Sequence, residues 1–316
     1  MFSKLILRLA ALLLLVAALP AAAAVNVFAS VPEWAALARE IGGDKVNVFS
    51  ATNALQDPHR IEARPSLIAR ARSSQLVVAT GAELEIGWLP VVLRESGNAA
   101  IQPGQPGYFE AASVVRMLEV PARVDRADGD VHAGGNPHIQ LDPRNVLKVA
   151  DALAARLTLV DPAGAVVYKA NLARFSEKWK AAMVRWEQAA APLKGAPVWV
   201  QHRSFPYLAD WLGLKELGAL EPKAGVEPGS AHLAGILERQ KATSAKMILR
   251  PAYTRPTASD WLGERARIPV AAIKADPALM HIPVVVLPFT VGGSPEATDL
   301  FALFDDTLRR LLAGLK

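Results

Sequence analysis

Three histidines share a local setting, in loops or at the end of an apolar segment. His59 follows Asp57-Pro58, His138 follows Asn136-Pro137, and His202 ends an apolar segment. In an open α/β sheet, ligands bind beyond the carboxyl ends of the strands, so we expect the three imidazoles to face such a cleft. Proline before His59 and His138 restricts the neighbouring backbone, which helps to fix both imidazoles before a ligand arrives.

Three neutral imidazoles with no sulfur ligand suit a borderline cation such as Zn²⁺, whereas Mg²⁺ and Ca²⁺ prefer oxygen ligands. The chain contains no cysteine, so disulfides, thiolate metal sites and cysteine nucleophiles are excluded. Because His59, His138 and His202 are far apart in the sequence, their spacing alone leaves an alternative open, in which they are unrelated loop or capping residues. His232 fits a surface or capping position better than metal ligation, and His281, in a candidate insertion, is not expected to be a ligand either.

The segments that must position these histidines alternate between strand and helix. Strands are predicted at Val25–Phe28, Val46–Phe49 and Gln75–Thr80, with helical segments between them, and Ser30 and Glu33 form a capping-box pair before the first of these helices. After residue 191 the alternation resumes, with strands at Pro197–Gln201, Leu214–Leu220 and Val284–Leu287 among others, and a last helix at Pro295–Leu315 with Ser294 as its cap. This alternation predicts an α/β fold, in which parallel sheets are covered by helices on both faces.

One long helix is predicted between the two alternating regions. Apolar side chains recur there at steps of three or four residues, at Tyr168, Leu172, Phe175, Trp179, Met183 and Trp186. A helix of about thirty residues is roughly 45 Å long, too long for a crossover inside one small sheet. We therefore predict an N-terminal α/β lobe at 25–160, a linking helix at 161–191 and a C-terminal α/β lobe at 192–316. A candidate insertion lies at 271–284, since the tripeptide Ile-Pro-Val occurs at 268–270 and again at 282–284.

The amino-terminal segment 1–24 has the composition of a secretory signal peptide. Lys4 and Arg8 precede the apolar stretch Leu9–Leu19, and Ala22–Ala24 offers small residues for cleavage. A retained N-terminal anchor is the alternative. Removing the segment lowers the net charge from +5 to +3, because it carries two basic residues and no acidic one. That charge is too small to indicate a nucleic-acid partner, so we expect an exported protein that binds no nucleic acid.

Two histidine motifs resemble the signature of a known family. Asp57-Pro58-His59 with Arg64-Pro65-Ser66, and Asn136–Pro143, are similar to motifs of the zinc/manganese solute-binding proteins of bacterial ABC importers, in particular the zinc-type members of cluster A-I. Gln201–Tyr207 falls in the expected order, and the resemblance covers nearly the whole chain after residue 24. Gln140 stands where the second motif usually has tryptophan.

This resemblance implies two α/β lobes joined by one long backbone helix, with a metal site in the cleft between them. His59 and His138 would be ligands from the N-terminal lobe, and His202 a ligand from the C-terminal lobe. The family's fourth ligand is usually a C-lobe aspartate after the last strand, or a glutamate, but Leu287–Thr290 contains no carboxylate. The fourth ligand is therefore unassigned, with water and His132, in a polar loop, as candidates. Three histidines without an assigned carboxylate favour Zn²⁺ over Mn²⁺.

The implied function is periplasmic high-affinity capture of Zn²⁺, as a transported ligand, and its delivery to an inner-membrane ABC permease. The protein would then be a monomer and not an enzyme. One alternative is a zinc-dependent hydrolase, because three histidines and an open position also describe a catalytic zinc, although no HExxH motif is present. Another is a protein of the same two-lobe fold that binds an organic ligand such as haem or a siderophore.

Overall fold

The computed structural model describes residues 23–125, 129, 131–266 and 281–315. The expected signal segment lies outside these residues except for its last two, and so does the candidate insertion at 271–284 up to residue 280. Within the described ranges, no helix combines the length and the apolar character needed to cross a membrane.

The first sheet has four parallel strands in the order β2-β1-β3-β4. The two central strands, β1 and β3, are buried apolar segments, whereas the edge strands β2 and β4 are only partly buried. Helices lie between strands in the sequence, as the alternation predicts. The short edge strand β4 was not expected from the sequence. The elements are β1 (Val25–Ala29), α1 (Pro32–Gly42), β2 (Val46–Ser50), α2 (Pro65–Arg72), β3 (Leu76–Ala79), α3 (Leu89–Ser96) and β4 (Tyr108–Glu110).

The second sheet repeats this topology, with four parallel strands in the order β6-β5-β7-β8. Two parallel-sheet lobes are therefore present, and the predicted fold class is confirmed. The elements are β5 (Pro197–Val200), α6 (Pro206–Leu212), β6 (Lys215–Ala219), α7 (Ser230–Ala242), β7 (Met247–Pro251), α8 (Thr257–Arg265), β8 (Val284–Leu287) and α9 (Leu300–Leu315).

Two helices lie between the sheets in the sequence, α4 (Pro143–Val160) and α5 (Ala165–Ala190). The 26 residues of α5 give it a length of about 39 Å, and 3-10 turns extend it at both ends. Its buried stripe includes Trp179, whose indole Nε1 donates to the Pro143 carbonyl oxygen at 2.9 Å. The helix packs against α1 and α4 on one side and against α9 on the other, so it joins the two lobes.

Two helix starts differ from the sequence expectation. A capping box between Ser30 and Glu33 was expected at α1, but no side chain caps this helix, and Glu33 is buried against Thr290 instead. The last helix was expected from Pro295 with Ser294 as its cap, but it begins at Leu300. The Ser294 hydroxyl accepts from the Ala297 N–H at 3.3 Å, the bond that a helix cap makes, but the helix does not start there, and the same hydroxyl donates to Oδ2 of Asp306 within α9.

Candidate metal centre

The structure brings His59, His138 and His202 together between the two sheets. Each imidazole offers one nitrogen, and these three nitrogens lie within 4.8 Å of one another. The ring centroids are 5.2 Å apart for His59 and His138, 5.8 Å for His59 and His202, and 5.5 Å for His138 and His202. Three residues from distant parts of the sequence therefore converge at one place where together they could hold a metal ion.

The two proline-containing motifs hold their histidines by the same local turn. The Oδ1 atom of Asp57 accepts from the backbone N–H of His59, and that of Asn136 accepts from the backbone N–H of His138, both at 3.0 Å. A short polar side chain that accepts from the N–H two residues later forms an Asx turn. The residue types Asp/Asn-Pro-His thus dictate the backbone that presents each imidazole.

His59 lies in the loop between β2 and α2 and is held on two sides. Asp57 Oδ1 lies 2.9 Å from His59 Nδ1, while the indole of Trp88 donates to the Pro58 carbonyl oxygen at 3.0 Å. Burial acts to raise the pKa of Asp57, but the side-chain and backbone hydrogen bonds from His59, together with the charge interactions with His59 and His202, outweigh it, and the pKa lies below its usual value. The ionised carboxylate fixes the proton of His59 on Nδ1. Nε2 is then left as the metal-facing atom, and it is buried without a hydrogen-bond partner.

His138 lies just before a 3-10 turn that leads into α4, and only 2% of its surface is exposed. Burial, followed by the neighbouring histidines His59, His202 and His132, lowers the pKa of His138 well below its usual value. The imidazole is therefore neutral, as a metal ligand must be. Its Nδ1 atom is buried without a hydrogen-bond partner, a cost that coordination would remove.

His202 follows β5, at the carboxyl edge of the second sheet where ligands of α/β folds bind. Its Nδ1 atom lies 2.7 Å from Oε2 of Glu221, which follows the neighbouring strand β6. Glu221 is a functional candidate that the sequence analysis missed. The predicted strand Leu214–Leu220 ends one residue before it, so the topology contained a signal for its position.

His132 is adjacent to the three histidines but does not join their group. It belongs to the loop 123–135, which we call the flap, of which residues 126–128 and 130 lie outside the described residues. The His132 ring centroid is 5.4 Å from that of His59. His132 is not a member of the group formed by His59, His138 and His202, whose ligand nitrogens lie within 4.8 Å of one another. The flap is held to the N-terminal lobe by Glu83, whose Oε2 accepts from the Ala133 N–H at 2.7 Å.

The last strand supplies no carboxylate, as the sequence indicated, and its place is taken by an aromatic ring. Phe289 packs edge-on against His138 with centroids 5.4 Å apart, and its backbone has a φ of +68°. Gln140, which stands at the position of the motif's usual tryptophan, donates to the Phe289 carbonyl oxygen at 3.4 Å. This side of His138 is therefore closed by apolar surface rather than by a charged ligand.

Hydrogen bonds between the lobes surround the histidines. Asn136 donates through Nδ2 to Glu119 and to the Arg203 carbonyl oxygen, at 2.9 and 2.8 Å, and the Arg203 guanidinium pairs with Glu119. The hydroxyl of Tyr207 donates to the Asn136 carbonyl oxygen at 2.8 Å. A cavity of about 250 Å³, lined by His132, His138 and other residues of both lobes, opens beside this contact. The lobes therefore meet in a closed arrangement around the histidines.

Comparison with known proteins finds a protein family whose model matches this chain. The model of the family described as zinc-uptake complex component A, periplasmic, matches residues 27–311. The zinc-uptake protein ZnuA of Paracoccus denitrificans is 26% identical over 254 residues, covering 70% of this chain and 74% of the relative. The manganese-binding lipoprotein PsaA of Streptococcus pneumoniae is 22% identical over 242 residues, covering 75% and 74%.

The zinc-binding lipoprotein AdcA of Streptococcus pneumoniae is longer than the region it shares with this chain. It is 23% identical over 207 residues, which cover 64% of this chain but only 40% of AdcA. The relatives that the chain resembles thus include proteins named for zinc and proteins named for manganese.

Solved structures agree in fold. A crystal structure of ZnuA matches with a TM-score of 0.69 and 23% identity, covering 90% of this chain and 98% of that one. A manganese-bound periplasmic metal-binding protein from Candidatus Liberibacter asiaticus matches with a TM-score of 0.72 and 16% identity, covering 92% and 100%. Since the family model spans all but the ends of the described chain, this protein belongs to the family of periplasmic zinc-uptake complex component A.

Proposed function

We propose that this protein captures Zn²⁺ outside the cytoplasm and delivers it to an ABC permease in the membrane. The observation that carries the proposal is the convergence of three largely buried imidazoles, two of which have a buried nitrogen without a hydrogen-bond partner. Neutral imidazoles at this spacing suit Zn²⁺ better than Mn²⁺, which generally takes more oxygen ligands. His59, His138 and His202 are the proposed ligands, and water or His132 is proposed for the fourth position.

The transport function is favoured over a zinc hydrolase. The family is a substrate-binding component of metal ABC transporters and not a family of enzymes. A hydrolase also needs a carboxylate free to act as a base on metal-bound water. Asp57 and Glu221, the carboxylates that contact the proposed ligands within the described residues, both accept hydrogen bonds from them.

An organic ligand is also disfavoured by the size and lining of the site. Pockets for organic ligands usually enclose about 300–1,000 Å³ and are mostly apolar. The cavity beside the histidines measures about 250 Å³, and the side chains of Glu119, Asn136 and Arg203 lie in its wall. A small hydrated cation fits such a space better than haem or a siderophore does.

Location and partners are proposed from the family and the sequence together. Relatives of the chain are named as periplasmic proteins or as lipoproteins, which are extracytoplasmic locations. We propose that segment 1–24 directs export to the periplasm, that the exported protein acts as a monomer without a nucleic-acid partner, and that an inner-membrane permease receives its ion. The lobe divisions at 25–160, 161–191 and 192–316 are part of the same proposal.

The test is a metal titration of the chelator-stripped protein without residues 1–24. Zinc affinity is measured by competition with a chromophoric chelator, and stoichiometry by calorimetry, with Mn²⁺ in parallel. We expect one tight zinc equivalent, much weaker manganese binding, and a loss of zinc affinity of at least about 100-fold in each of His59→Ala, His138→Ala and His202→Ala, since each removes one metal–nitrogen bond.

The matched control is His281→Ala, because His281 is exposed and is not part of the three-histidine group. It should bind zinc as the wild type does. Weak, non-stoichiometric zinc binding that is unaffected by the three ligand substitutions would overturn the proposed function.

A further inference from the structure

Glu221 contacts the imidazole of His202 directly. Its Oε2 atom is 2.7 Å from His202 Nδ1, and the same oxygen accepts from the Gly225 N–H at 2.8 Å. The Glu221 side chain is only 15% exposed, and that of His202 10% exposed. Both hydrogen bonds are therefore shielded from water, which makes them effective constraints on the imidazole.

The same short segment is bound by the opposite lobe. Arg60, the residue after His59, donates through Nη2 to the Gly225 carbonyl oxygen at 2.8 Å. Its Nε atom also lies 3.8 Å from Oδ2 of Asp57. Arg60 thus lies next to the carboxylate of Asp57, which contacts His59, and is linked to the carboxylate of Glu221, which contacts His202, through the single residue Gly225.

We propose that Glu221 is a positioning residue for His202, and that Arg60 couples the orientation of His202 to that of His59 across the closed cleft. This inference rests on the proposed zinc function. The contact network that carries it runs from Asp57 and Arg60 in the N-terminal lobe to Gly225 and Glu221 in the C-terminal lobe.

The orienting role follows from the chemistry of imidazole. When the carboxylate accepts the Nδ1 proton, His202 is held in the tautomer whose Nε2 has a free lone pair, and the ring cannot rotate without losing that bond. Carboxylates in this position also make the coordinating nitrogen a better donor, and their loss typically weakens metal binding 10- to 100-fold. Asp57 and His59 show the same arrangement in the other lobe.

The coupling role follows from where Gly225 lies. Its N–H is bound by the C-lobe carboxylate and its carbonyl oxygen by the N-lobe guanidinium. When the lobes separate, the Arg60 bond is lost and the segment that carries Gly225 is free to move, which loosens one of the two hydrogen bonds that hold the Glu221 carboxylate. Opening of the cleft would then weaken His202 as a ligand before the metal leaves.

The test uses Zn²⁺ and Co²⁺ with the protein lacking residues 1–24. Glu221→Ala should lower zinc affinity 10- to 100-fold and change the visible d–d spectrum of bound Co²⁺, because the imidazole is no longer fixed. Glu221→Gln should stay within about threefold of wild type, since its amide oxygen can accept both bonds. The matched control is Glu227→Ala, an exposed carboxylate of the same segment, which should change neither quantity.

Arg60 is tested by a double-mutant cycle with Glu221→Ala, with Arg64→Ala as the exposed control on the same loop. We expect the losses of zinc affinity in Arg60→Ala and Glu221→Ala to combine non-additively, because both residues bind the backbone of Gly225. Additive effects would overturn the coupling. Wild-type affinity and an unchanged Co²⁺ spectrum in Glu221→Ala, or an equal loss in Glu221→Gln and Glu221→Ala, would overturn the orienting role.

Failure of this inference can be told apart from failure of the proposed function. If the His59, His138 and His202 variants lose zinc but Glu221→Ala does not, only the positioning role is wrong. If the histidine variants bind zinc as the wild type does, the proposed site itself is wrong.

Discussion

The carboxylate of Glu33, in the first turn of α1, accepts a hydrogen bond from the hydroxyl of Thr290, although 257 positions separate them in the sequence. Both residues are buried, and Thr290 follows the last strand of the second sheet. The bond therefore connects the two lobes close to Phe289, the ring that packs on His138. Burial raises the pKa of Glu33 to about 7, and the hydrogen bond from Thr290 opposes that rise only in part.

Glu33 should make the stability of the metal-free protein depend on pH. Because its pKa in the folded protein lies above the ordinary value of 4.5, the folded state holds the proton more tightly than the unfolded state does. The contribution of Glu33 to the free energy of unfolding is fully present below about pH 4.5 and is lost as the pH rises through about 7. Glu33→Gln should remove this loss, which amounts to as much as about 3 kcal/mol.

The measurement is urea unfolding of wild type and Glu33→Gln between pH 5 and pH 8. The variant should be more stable at pH 8 and similar at pH 5. Glu40→Gln, an exposed site on the same helix, is the control and should follow the wild type throughout. Equal slopes of stability against pH in wild type and Glu33→Gln would contradict the prediction.

Asp57 should matter for how long zinc stays bound. Asp57→Ala removes the acceptor that holds both the backbone N–H and the ring of His59, so the imidazole gains freedom when the metal leaves. We expect affinity to fall 10- to 100-fold, mainly through faster dissociation, measured by stopped-flow transfer of zinc to a chelator. Glu62→Ala, an exposed acidic residue in the same loop, should leave the dissociation rate unchanged.

His132 should have a smaller effect than the three proposed ligands. Its ring lies beside that of His59, but His132 is not part of the group in which one nitrogen each of His59, His138 and His202 lie close together. His132→Ala should lower zinc affinity less than tenfold, in the same competition assay. A loss as large as that of His59→Ala would instead identify His132 as a full ligand in the metal-bound protein.

Trp179 should contribute strongly to the free energy of unfolding, because it packs where the two lobes join. Its ring is fully buried, contacts Phe301 and Phe304 of α9, and its Nε1 donates to the Pro143 carbonyl oxygen. Trp179→Ala should lower the free energy of unfolding, measured with urea, by about 3–5 kcal/mol, because it leaves a large cavity and an unpaired carbonyl group. Lys180→Ala, at the next and exposed position, should cost little, and a comparable loss there would argue against a packing origin.

Most of the fold could be predicted from the sequence, because buried parallel strands are short apolar runs and the long helix has a clear period. Strand β4 could not, since it has three residues, of which Tyr108 and Glu110 are only half-buried. The predicted start of the last helix was wrong by five residues, although Ser294 accepts from the Ala297 N–H as a helix cap would. Its second bond, to Asp306 within α9, is a contact that local sequence patterns do not reveal.

The site could be predicted in part for similar reasons. The two Asx-Pro-His motifs fix their own turns, so His59 and His138 were identifiable from local sequence. Glu221 follows the strand adjacent to that of His202, and it could have been found from the order of the strands. The contact of Phe289 with His138 depends on how the lobes pack, and no local pattern encodes it.

The position of α9 has a consequence for how the chain reaches its native state. This helix comes last in the sequence, yet Phe301 and Phe304 pack on α5, and the helix also contacts α1 of the first lobe. A chain that folds as it emerges amino-terminus first cannot cover Trp179 and Trp186 until residues 300–315 have followed. This aromatic core is therefore completed late, and a polypeptide that stalls before that helix presents a row of uncovered aromatic rings to proteases and to other nascent chains.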